Sequence, residues 1–82
     1  MKLVGLVDYG SGNLGSLQSV FEKLGIHTEV IRSPEGIARP DLLVLPGVGA
    51  AGQAVQRLER SGMAAMIRSR LATHQPVLGI CL

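Results

Sequence analysis

Three stretches of this chain, Leu3–Val7, Leu42–Leu45 and Val77–Ile80, are almost unbroken in apolar side chains. A strand with one face in water alternates apolar and polar residues. A strand that is apolar throughout is buried on both faces, which is the signature of a parallel sheet covered by helices on either side. The first run extends as Lys2 to Asp8 and closes on its acid, and the last runs into Cys81-Leu82. The third strand is expected to stop at Pro46, because proline cannot donate to a central ladder.

Between these runs the apolar period changes to three and four. Leu14, Leu17, Val20, Phe21 and Leu24 form one stripe of an amphipathic helix, with Gly25 as its stop. Thr28 to Arg32 alternates more and is expected to be a strand nearer an edge. Ser33 to Pro40 is a turn-rich connection. Ala51, Ala54, Val55 and Leu58 mark a second helix, Ser61-Gly62 breaks it, and Met63, Met66, Ile67 and Leu71 mark a third. Strands alternating with helices predict an α/β fold, a parallel sheet wound by right-handed crossovers.

The chain has 82 residues, with 46% hydrophobic and only 17% charged, against about 25% charged in an average soluble domain. That is little polar surface for a small free-standing domain, which would bury only about 60% of its unfolded surface. Residues 1–82 are therefore expected to be the N-terminal part of one larger domain, cut after the fourth strand. Two aromatic residues, Tyr9 and Phe21, are too few for a single-stranded nucleic-acid platform. One cysteine excludes a disulfide scaffold and fits a reducing compartment. No apolar run nears the ~20 residues of a membrane span, and Asp8 cuts the first run short of a signal peptide. The expectation is a cytoplasmic protein without nucleic-acid or membrane partners.

The net charge is +2. Arg57, Arg60, Arg68 and Arg70 crowd the second half. They could form a basic patch for phosphate or nucleic acid, or the solvated face of two helices. With no aromatic residue interleaved, the solvated face is the reading adopted.

In a parallel sheet every strand delivers its C-terminal end to one edge, where ligands bind. Asp8 to Ser16, Pro46 to Gly52 and Cys81 reach that edge. Gly10-Ser11-Gly12-Asn13-Leu14-Gly15 is formally the G-x-G-x-x-G of dinucleotide sites. Such a site also needs an acid at the end of strand two, where Glu29 falls too early and Arg32-Ser33 stand instead. A tight strand-to-helix turn capped by Ser11 or Asn13 is the alternative. Asp8 could bind a cation or a ribose, or satisfy loop N–H groups. Pro46-Gly47-Val48-Gly49 either aims N–H groups at an oxyanion or is a loop into helix two. Cys81, in Gly79-Ile80-Cys81, resembles the first half of a nucleophile elbow; a following helix N-terminus would favour its thiolate. Taken alone, an isolated cysteine beside a strand reads first as a small buried hydrophobe. His27 and His74 are expected on the surface at the opposite edge, without zinc-ligand spacing.

Three segments occur together: Asp8-Tyr9-Gly10-Ser11-Gly12-Asn13-Leu14, Leu45-Pro46-Gly47-Val48-Gly49-Ala50 and Pro76-Val77-Leu78-Gly79-Ile80-Cys81-Leu82. As a set they resemble the start of the triad (class I) glutamine amidotransferases, and among these the glutaminase subunits of imidazole glycerol phosphate synthases. The resemblance implies a flavodoxin-like sheet with helices on both faces. It implies Cys81 as nucleophile on glutamine, and an oxyanion hole from the backbone N–H groups of Val48 and Leu82, with Gly47 and Gly49 shaping the turn. It implies no cofactor. Ammonia would pass to a (β/α)₈-barrel synthase subunit in histidine biosynthesis, with Tyr9, Gly10, Ser11, Gly12 and Asn13 beside that partner. The family's catalytic His and Glu lie after the cysteine, so residues 1–82 alone are expected to be inactive. Two alternatives from other classes are a nucleotide-binding half-domain using Gly10, Gly12 and Gly15, and a structural fragment that self-associates.

Overall fold

The computed structural model describes residues 2–10, 14–47 and 51–81, the side chains of 47, 51–54, 80 and 81 excepted. Strands and helices alternate as β1 (Val4–Val7), α1 (Leu14–Lys23), β2 (Thr28–Ile31), a 3₁₀ turn (Pro34–Gly36), β3 (Leu42–Gly47), α2 (Ala51–Arg60), α3 (Met63–Ala72) and β4 (Val77–Cys81). All pairings are parallel, in the order β2-β1-β3-β4. The more alternating strand, β2, does lie at an edge.

Residues of alternating parity on each strand feed two cores. Val4, Leu6 and Val44, with Leu42, face α1 and meet Leu14, Leu17, Phe21 and Ile26. Val7, Ile31 and Leu43 face the other way and pack with Tyr9, Ile37, Met63 and Ile67. This two-sided burial is what the unbroken apolar runs of β1 and β3 require. Gly5 has no side chain because none fits: a β-carbon there would run into the ring of Pro40 and lie 3.0 Å from Ile31 Cδ1.

Four sequence expectations need correction. Pro46 does not stop β3, which continues to Gly47. Leu42 N–H points to β1, donating to Leu3 O, and even-numbered β3 residues share that direction. The N–H that Pro46 lacks therefore faces β1, whose pairing with β3 has already ended at Val44, so proline costs the ladder nothing. Val20 and Leu24 leave the helical stripe, at 52% and 67% exposed. Val20 lies about 100° around the helix from Phe21, and Leu24 follows the last helical residue. In the later helices Val55 and Leu71 are likewise exposed. The fourth strand is not covered on both faces: Val77 packs into the α3-side core, whereas Leu78, opposite Val44, is exposed and lies outside the cluster in which α1 packs on Val4, Leu6 and Val44.

The fourth correction concerns Arg70, which belongs to no solvated face and is 2% exposed. Its Nε and Nη2 donate to Pro76 O at 3.1 and 3.0 Å, and Nη1 donates to Ile37 O at 3.0 Å. Burial holds its pKa below the ordinary arginine value, with Asp41 acting in the opposite sense. Fixing two carbonyls with one planar fork suits arginine and not lysine. The guanidinium thus ties the entry of β4 to the segment before β3. No helix among the described residues is long and apolar enough to cross a membrane.

Candidate functional site

Residues at the C-terminal edge of the sheet are placed by register. Leu43 pairs with Val77, and the ladder continues to Pro46↔Ile80 and Gly47↔Cys81. The single cysteine thus has its backbone on the strand next to Pro46 and Gly47, the last two residues of β3, at matched height. The strand direction also orients the Gly47 N–H. Leu43 N–H donates to Pro76 O at 3.2 Å, so odd-numbered residues, Gly47 included, direct their N–H groups toward β4.

Beyond β1 the chain turns through Asp8, Tyr9 and Gly10. Asp8 Oδ1 accepts from Gly10 N–H at 3.1 Å, and its other oxygen pairs with Arg32 at the end of β2, 3.2 Å away. Asp8 thus satisfies a loop N–H, the plainer of its two readings. Gly10 has φ +83°, a left-handed conformation that glycine enters without steric penalty. Its carbonyl accepts from Arg57 Nη1 of α2 at 2.6 Å.

Tyr9 is only 8% exposed. Its ring lies in the α3-side core, and its hydroxyl donates to the Pro46 carbonyl. Sequence reasoning placed Tyr9 beside a partner and missed this bond. The signal was present in part: an aromatic after a buried strand needs somewhere to put its ring, and a buried phenol needs an acceptor.

Ser11, Gly12, Asn13, Val48, Gly49 and Leu82 lie outside the described residues, as does the side chain of Cys81. The dinucleotide alternative finds no acid at the end of β2. Arg32 stands there and pairs with Asp8, while Glu29, within β2, pairs with Arg39. His27 and His74 are exposed and precede β2 and β4. His74 is therefore at the opposite edge from Cys81, with four strand rises from Val77 to Cys81 spanning about 13 Å.

Three comparisons bear on this arrangement. Residues 5–82 match the family described as glutamine amidotransferase class-I. The chain belongs to that family. The imidazole glycerol phosphate synthase subunit HisH of Sulfurimonas denitrificans is 42% identical over 80 residues, covering 98% of this chain and 39% of the relative. The corresponding subunit of Symbiobacterium thermophilum is 44% identical over 82 residues, all of this chain and 39% of its own length. This class-I amidotransferase chain thus spans about two fifths of the curated relatives it matches. A crystal structure of a glutamine amidotransferase superimposes with a TM-score of 0.78 at 21% identity, over 93% of this chain and 40% of the other. That likeness establishes the fold, a flavodoxin-like parallel sheet.

Proposed function

We propose that these residues supply the nucleophile and the oxyanion-binding turn of a glutaminase that delivers ammonia to a synthase making imidazole glycerol phosphate. What carries the reading is the Gly47↔Cys81 register, in a chain 42–44% identical to two HisH subunits along essentially its whole length. Cys81 thiolate attacks the side-chain amide carbon of glutamine. The amide oxygen takes the electron pair as an oxyanion, held by the N–H groups of Val48 and Leu82, with Gly47 and Gly49 allowing the turn to face it. Collapse breaks the C–N bond. Ammonia leaves with a proton, and water then releases glutamate from the thioester. Removing one oxyanion donor typically costs on the order of 10²–10³ in rate.

The general base is not His27 or His74, since both precede the strands at the far edge. It comes from outside residues 1–82, and these residues alone release no glutamate. Ammonia is a nucleophile only while unprotonated, so it reaches its acceptor through a shielded path into the synthase partner, a (β/α)₈ barrel. The segment Tyr9 to Asn13 borders that path. No cofactor enters the chemistry. The test is glutamate release by the complete amidotransferase: Cys81→Ala is expected to abolish it. Retained turnover in Cys81→Ala, or Cys81-dependent turnover by residues 1–82 alone, would overturn the respective claim.

A further inference from the structure

We draw no further inference here: the strongest candidate, the outer edge of β4 with Leu78 exposed on its α1-side face, carries none because nothing in the structure shows what covers it.

Discussion

Arg57 on α2 donates to the carbonyl of Gly10 at 2.6 Å, joining residues 47 positions apart. The bond reaches across the C-terminal edge of the sheet from the helix after β3 to the loop after β1. Tyr9, one residue earlier, makes the second such link, to Pro46. The loop after β1 is thus bonded both to the end of β3 and to α2.

Arg57→Ala is expected to free the Gly10 carbonyl without unfolding the chain. The arginine is exposed, so the loss of stability should stay under about 1 kcal/mol. The Gly10 amide, bonded to Asp8, should exchange faster by hydrogen exchange while Val4–Val7 stay protected. Equal exchange at Gly10 in both proteins would show that the bond restrains nothing.

Arg70→Lys should destabilise the fold by about 2–4 kcal/mol, because a point charge cannot serve Ile37 and Pro76 carbonyls together and charged hydrogen bonds are lost in a buried site. Urea denaturation gives the number. A change under about 0.5 kcal/mol, typical of surface positions, would mean that the guanidinium is not the link between β4 and the segment before β3.

Gly5→Ala should cost about 1–3 kcal/mol through overpacking, since the new methyl meets the buried Pro40 ring. The same substitution at Gly79, where a β-carbon meets nothing within 4 Å, should be near neutral. Thermal melts of the two variants side by side give the contrast.

Asp41 accepts from the N–H groups of Lys2 and Leu3 at 3.0 and 2.8 Å. These bonds favour the ionised carboxylate and hold its pKa below the ordinary value of 3.8. A lowered folded-state pKa contributes stability that is fully present above the ordinary value and lost as pH falls through the folded one. The chain should therefore weaken in acid, and Asp41→Asn should flatten that part of the profile. Urea midpoints at about pH 6 and about pH 3 test this; equal slopes for parent and variant would remove Asp41 from the account.

His27→Gln and His74→Asn should leave glutamine turnover unchanged, Asn being chosen because His74 has φ +61°, which asparagine tolerates. A large fall in kcat for either would return a histidine of this segment to the chemistry.

Much of this was legible in the residues. The runs Leu3–Val7 and Leu42–Leu45 announced doubly covered parallel strands, and the turn chemistry marked the ends of the helices. What could not be read was tertiary in origin. Whether Pro46 ends a strand depends on which neighbour its missing N–H faces, and that follows from strand order. Arg70 looks like its exposed neighbour Arg68, and only the carbonyls of Ile37 and Pro76 distinguish them. Tyr9 sits in a loop motif that suggested a surface role, while its ring follows the core. Gly47 and Cys81 were identified by pattern; their alignment at one edge is a product of the ladder.

The pairing of Gly47 with Cys81 makes the spacing of the two strand tips independent of how much chain intervenes. Residues could be added between Arg60 and Met63 without disturbing the alignment, because the sheet measures the distance. Deleting a single residue within Val77–Cys81 would instead break the register that sets Cys81 against Gly47. Length variation among natural or engineered versions should therefore be permitted in the helical crossover and forbidden in the last strand.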